Sequence, residues 1–234
     1  MKRLVIAAGI CLSTLSPGIL AQQAPAPGSA KPQVHTQESQ DAMTPSAALE
    51  QLKEGNARFA SNATKHRDWS AKVLATASGQ FPFAAIVACM DSRAPVEIVF
   101  DQGLGDIFGV RIAGNVINDD ELGSLEYAVK VGTKLIVVLG HTQCGAIKGA
   151  IDDIRLGNLT SLLAKIRPSV AAAGCGSSTD DACVVKVTEL NVRHSMQEIL
   201  GRSPYLKKHV DEGKVGLVGG IYNVATGKVT FLEK

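Results

Sequence analysis

The chain has 234 residues, 45% of them hydrophobic and 20% charged, the balance of a globular protein with room for one substantial core. Its formal charge is +2, and loss of a leader carrying Lys2 and Arg3 lowers the 24 basic residues to 22, level with the 22 acidic ones. A near-neutral chain with no Lys/Arg cluster among aromatics excludes nucleic acid as an expected partner.

The first segment pairs Lys2-Arg3 with a mostly apolar stretch over residues 4–15, broken at Pro17-Gly18 and followed by a small residue, Ala21. This pattern predicts a signal peptide over residues 1–21, too short for a membrane span. The expected location is the periplasm, or the exterior where the host has no periplasm, with no stable membrane anchor. Residues 22–43 are rich in Gln, Ala, Pro and Ser and read as a disordered spacer. A domain over residues 44–234 is expected to open at Thr44-Pro45, a capping hydroxyl followed by Pro at the first helical position.

Strand-length apolar runs follow at 83–88, 107–112, 135–140, 215–222 and 229–232. They are continuous rather than alternating, as in strands covered on both faces. Helical patterns lie at 121–131, 145–156, 159–170, 182–200 and 205–212. The alternation predicts an α/β fold: a mainly parallel central β-sheet flanked by helices, with an antiparallel edge strand formed by the last run. The glycines of 103–109 lead into a strand rather than a helix, which excludes a dinucleotide fingerprint.

Of five cysteines, Cys11 leaves with the leader, and Cys175 and Cys183 bound a polar insert. In an oxidising compartment that pair reads as a local disulfide. The other two stand in short words at strand exits: Cys89-Met90-Asp91-Ser92-Arg93 and His141-Thr142-Gln143-Cys144-Gly145. Two thiolates, an imidazole and a carboxylate make a full tetrahedral zinc set. Arg93 stands two residues from Asp91 and competes for its carboxylate, so the fourth position is switchable. Without a Cys-x-x-Cys, a redox dithiol is excluded.

At these residues the chain resembles the β-class carbonic anhydrases, whose signatures are Cys-x-Asp-x-Arg and His-x-x-Cys-Gly. The resemblance runs from about residue 44 to the C-terminus and is most specific over 80–149. It implies zinc ligands Cys89, His141 and Cys144, with one Zn2+ per subunit. Asp91 is then either the fourth ligand of a closed state or, paired with Arg93, the acceptor that orients zinc-bound hydroxide for attack on CO2. The resemblance further implies that Gln80 donates a hydrogen bond to substrate and that Phe108 and Tyr127 line a small apolar pocket. In the family the tyrosine reaches in from a neighbouring subunit, so a homodimer or a tetramer of dimers is expected. The N–H of Gly145 is expected to face an oxygen of bicarbonate. Ile86 stands where a subgroup carries a tryptophan that helps form a non-catalytic bicarbonate site, so that form of inhibition is expected to be absent. The resulting expectation is reversible hydration of CO2 to bicarbonate and a proton. Two rivals keep the same residues: hydrolysis of a CO2 analogue such as carbon disulfide or carbonyl sulfide, and a non-catalytic zinc protein permanently closed by Asp91.

Overall fold

The computed structural model describes residues 33–233, so the signal-peptide reading and the first half of the spacer lie outside the described residues. Five strands form one sheet in the order β2-β1-β3-β4-β5: β1 (Ala84–Ala88), β2 (Ile107–Arg111), β3 (Leu135–His141), β4 (Gly216–Tyr222) and β5 (Val229–Phe231). The pairs β1·β2, β1·β3 and β3·β4 are parallel, and β5 closes one edge antiparallel to β4. The expected fold is therefore the observed one.

The continuous apolar runs divide between two cores because successive side chains of a strand point to opposite faces. Ala84, Ile86 and Ala88 of β1 join Leu135, Val137 and Leu139 of β3 on one face. There Leu52 of α2 (Pro45–Ala60) and Val96 and Val99 of the single-turn α4 (Val96–Val99) cover them. Ala85, Val87, Ile136 and Val138 face the other way, against Leu125 of α5 (Asp119–Lys130), Val192 and Ile199 of α9 (Asp181–Arg202), and Leu206 of α10 (Pro204–Asp211). A third core beyond the sheet's carboxyl edge joins Cys89 and Cys144 to Ile147 of α6 (Gly145–Ile151), Leu163 of α7 (Gly157–Ala164), Ala173 of α8 (Arg167–Ala173) and Val187 of α9.

Order begins earlier than the composition implies. Within the expected spacer, α1 (Gln37–Ala42) forms behind a Thr36–Ser39 capping box. Its Gln40 is fully buried and donates Nε2–H to the Pro82 carbonyl at 2.8 Å. His35, just before this helix, packs its ring 5.2 Å from that of Phe83. A buried glutamine and a histidine ring make these contacts, so apolar periodicity gives no hint of them. The helix α3 (Trp69–Thr76) was also not anticipated. The single helix expected over 159–170 is two, α7 and α8. Pro168 has no N–H for the carbonyl of Ala164 and its ring would crowd that oxygen, so α7 stops there. Likewise α6 stops at Ile151, before Asp153 turns into left-handed backbone (φ 51°).

Helix α9 packs directly on two strand residues that have no side chain. A Cβ on Gly140 of β3 would stand 2.8 Å from Val192 Cγ2, and one on Gly219 of β4 would stand 2.8 Å from Val192 Cγ1. The N-terminal turn of α9 is tied by a Cys175–Cys183 disulfide, the pairing expected from the insert. Among the described residues no helix is long and apolar enough to cross a membrane.

Candidate metal centre

The chain leaves β1 for β2 on one side of it and leaves β3 for β4 on the other. A crevice therefore opens outside the carboxyl ends of β1 and β3, the place where open α/β sheets hold their ligands. Cys89 follows β1 directly, His141 ends β3, and Cys144 is the N-cap of α6. Their donor atoms lie within 4.8 Å of one another, and all three side chains are buried.

Two details show that these residues fit a metal ion. The His141 Nδ1–H donates to the Thr142 carbonyl at 2.9 Å, which leaves Nε2 as the lone-pair nitrogen. That Nε2 is buried and has no hydrogen-bond partner. The Cys89 and Cys144 sulfurs stand 3.9 Å apart. Two thiolates on one tetrahedral zinc, at the usual Zn–S distance, stand about 3.8 Å apart.

The two thiols are electrostatically unequal. The Cys144 S–H points at Cys89 and holds its thiol well below the ordinary range; burial opposes this, and His141 and the Gly114 N–H, 3.4 Å from the sulfur, assist. The Cys89 sulfur and burial push Cys144 up in turn. The pair is thus pushed in opposite directions, Cys89 down and Cys144 up, and both sulfurs must be free of protons to ligate a metal.

Asp91 stands outside this donor triangle because Arg93 claims its carboxylate. Oδ1 accepts from the backbone N–H and Nε–H of Arg93 at 2.9 Å each, and Oδ2 accepts from Nη2 at 2.7 Å. The guanidinium holds the carboxyl far below the usual carboxylate range, against a smaller opposing effect of burial. Oδ2 still lies 3.8 Å from His141 Nε2, at the rim of the site. Asp91 is thus paired with Arg93 rather than turned toward the three donors.

Residues that sequence reasoning missed hold this loop. Arg111, closing β2, donates Nε–H to the Cys89 carbonyl at 3.2 Å and Nη2–H to the Asp91 carbonyl at 2.6 Å. The Gln143 carbonyl, on left-handed backbone (φ 57°), lies 3.4 Å from Arg93 Nη2. Its side-chain amide donates to Asp181 at 3.1 Å, and its amide oxygen accepts from Lys148. The only available signal was Arg111 itself, a charge ending an apolar strand beside the first signature.

The expected pocket residues do not gather at the donors within one chain. Phe108 pairs with Ala85, four residues before Cys89, hence about 13 Å back along the sheet. Its ring meets that of Tyr127 at 6.1 Å in an open groove of about 610 Å³ between β2 and α5. Gln80 is exposed at the opposite end of β1, in a separate cavity of about 210 Å³ with His35 and Gly105. Gly145 is the exposed first residue of α6, and a Cβ there would meet nothing within 4 Å.

An open α/β sheet with a buried Cys2His donor set at its switch point is a scaffold able to hold a metal ion. Comparison with known proteins names the family. The carbonic anhydrase family model matches residues 84–229. Carbonic anhydrase 2 of Mycobacterium tuberculosis is 39% identical over 196 residues, covering 81% of this chain and 93% of that protein. A carbonic anhydrase of Mycolicibacterium smegmatis is 36% identical, covering 79% and 92%. The β-carbonic anhydrase CafA of Aspergillus fumigatus superposes with a TM-score of 0.64 at 29% identity, covering 80% of this chain and 90% of that one. A Coccomyxa β-carbonic anhydrase, solved with acetazolamide, gives 0.64 at 27% identity, covering 80% and 85%. The chain belongs to the β-class carbonic anhydrases, and its reaction is that of the family, the hydration of CO2.

Proposed function

We propose that the chain interconverts CO2 and bicarbonate at one zinc ion held by Cys89, His141 and Cys144. The observation that carries this is the orphaned, tautomer-fixed Nε2 of His141 facing two sulfurs at the spacing of a tetrahedral pair. When bound, zinc supplies a Lewis acid that makes hydroxide available from water near neutral pH.

The protein's own groups supply orientation. Kept ionised by Arg93, Asp91 can only accept hydrogen bonds. It therefore holds an oxygen nucleophile by its proton, at Oδ2, and leaves a lone pair free for the carbon of CO2. Arg93 also restrains Asp91 from closing on the donor triangle, and Arg111 fixes the loop that carries both. This pairing supports turnover over a permanently closed zinc site. The N–H of Gly145, at the first turn of α6, is free to meet an oxygen of bicarbonate.

Phe108, Tyr127 and Gln80 act, on this reading, across a subunit boundary. Their distance from the chain's own donors and the 58% exposure of Tyr127 support a homodimer or a tetramer of dimers. A Sordaria macrospora structure of the same fold is described as tetrameric. Export to an oxidising compartment is supported by the Cys175–Cys183 bridge.

Stopped-flow CO2 hydration on protein of measured zinc content tests the proposal. One zinc per chain and rapid hydration at pH 8 are expected, and Cys89→Ser should lose both. Hydration that persists in Cys89→Ser at zero zinc would refute it.

A further inference from the structure

The sulfur of Cys89 accepts a backbone N–H from Gly114, 25 residues along the chain, and that donor is held from behind. The N–H of Gly114 lies 3.4 Å from Cys89 Sγ. Gly114 occupies left-handed backbone (φ 71°, ψ 17°), and the next residue, Asn115, is left-handed as well (φ 44°). Gly114 takes this conformation freely and Asn115 tolerates it, so the backbone alone does not hold the turn in one place and its surroundings must.

The enforcement comes from α9, 77 residues further along the chain. Asn191 donates Nδ2–H to the Gly114 carbonyl at 2.8 Å. One turn later, Ser195 donates Oγ–H to the Asn115 carbonyl at 2.9 Å. Both side chains are buried, at 1% and 2% exposure, so water offers these carbonyls no alternative. The loop has no slack on its other side, since a Cβ on Gly114 would stand 2.6 Å from Ile166 Cδ1. The helix itself is seated on Gly140 and Gly219.

We propose that Asn191 is a positioning residue for the metal centre: it pins Gly114 so that the 114 N–H stays on the Cys89 sulfur. This rests on the reading of Cys89 as a metal ligand. An N–H donated to a thiolate draws charge from the sulfur and fixes its direction, as outer-shell partners do for metal ligands. Without Asn191 the Gly114 carbonyl is buried and unpaired, and the loop turns to satisfy it. The 114 N–H then leaves the sulfur, which becomes more electron-rich and less well aimed.

The test uses the whole chain, with zinc affinity read by chelator competition and the thiolate-to-metal charge-transfer band read in the cobalt(II)-substituted protein. Asn191→Leu keeps the volume and removes the donor. It should weaken zinc binding by roughly 10-fold or more and move the cobalt band to longer wavelength, which mere destabilisation of the fold would not do. If wild type shows the band and folded Asn191→Leu matches it in band and affinity, the inference falls while the metal-site reading stands. If wild type itself binds neither ion, the metal-site reading falls and takes the inference with it. Should Asn191→Leu fail to fold, Ser195→Ala decides: a shift in the same direction supports the clamp, and an unmoved band overturns it.

Discussion

Gly140 precedes His141 and carries the weight of α9, so adding one methyl there measures how tightly that helix is pressed on the sheet. A Cβ at Gly140 would stand 2.8 Å from Val192 Cγ2, 3.1 Å from Thr188 Cγ2 and 3.2 Å from Ile221 Cδ1. All three neighbours are β-branched and stiff at χ1, so the Val192 and Thr188 methyls cannot swing aside, and only Ile221 Cδ1 can turn away about χ2. Overpacking of this kind costs about 1–3 kcal/mol. The reduced freedom of the unfolded chain returns about 0.4–1 kcal/mol. Gly140→Ala should therefore destabilise by about 1–2 kcal/mol, a fall in Tm of roughly 2–8 °C at this chain length. Val192→Ala removes the nearest clash and carries its own cavity cost. The double variant should accordingly be more stable than the sum of the singles by at least about 0.5 kcal/mol. Urea midpoints at constant m-value measure all four corners of the cycle. A neutral Gly140→Ala, or an additive cycle, would refute the close seating of α9 on which the support of Gly114 depends.

Opening the Cys175–Cys183 bridge, whose partners are eight residues apart, should cost about 2.5 kcal/mol on the chain-entropy account. Cys175→Ala should show that loss in urea, a phosphine reductant should impose the same loss on wild type, and the variant should not respond to the reductant. An equal response from both would mean that the bridge is not the cause. Asp101 is buried, which pushes its carboxyl up, yet Arg67, Arg58 and the Lys65 N–H outweigh this and hold it below the ordinary range. A depressed native pKa stabilises fully above the unfolded value of about 4 and is lost as pH falls through the lower native value. Asp101→Asn should therefore cost about 3 kcal/mol or more at pH 7, with the gap to wild type narrowing below pH 4 in urea titrations; a gap independent of pH contradicts the ion-pair account. Arg93→Ala should retain zinc while CO2 hydration falls by roughly 100-fold, because Asp91 is freed to leave its orienting position. Activity within twofold of wild type at full zinc content counts against that role.

The strands were legible because runs such as 135–140 are apolar at every position, as a doubly covered parallel strand requires. The donors were legible because each stands where such a run ends, which in this topology is the switch point. What escaped is carried by polar contacts between distant segments. Gln40 docks α1 through one hydrogen bond to Pro82, 42 residues away, inside a stretch whose composition reads as disordered. Asn191 and Ser195 look like ordinary polar positions on a long helix until they are seen beneath Gly114 and Asn115. Pro168 was legible in principle as a break, but the apolar periodicity on either side continues through it. Phe108, Tyr127 and Gln80 match the family's pocket positions, yet no local pattern reveals that they lie away from their own chain's donors.

The 3.9 Å between the Cys89 and Cys144 sulfurs has a further consequence for how the protein matures. Sulfurs that near, in the oxidising compartment proposed above, can be lost to each other. The competing partners differ in contour: Cys175 and Cys183 are eight residues apart, Cys89 and Cys144 are 55 apart. For a flexible chain that ratio favours the short encounter by about 1.7 kcal/mol, roughly 20-fold. Polymer statistics thus sort four chemically identical thiols before any tertiary structure exists, retiring two of them early. The remaining two then meet in a closed interior, where an ion can claim them before an oxidant does.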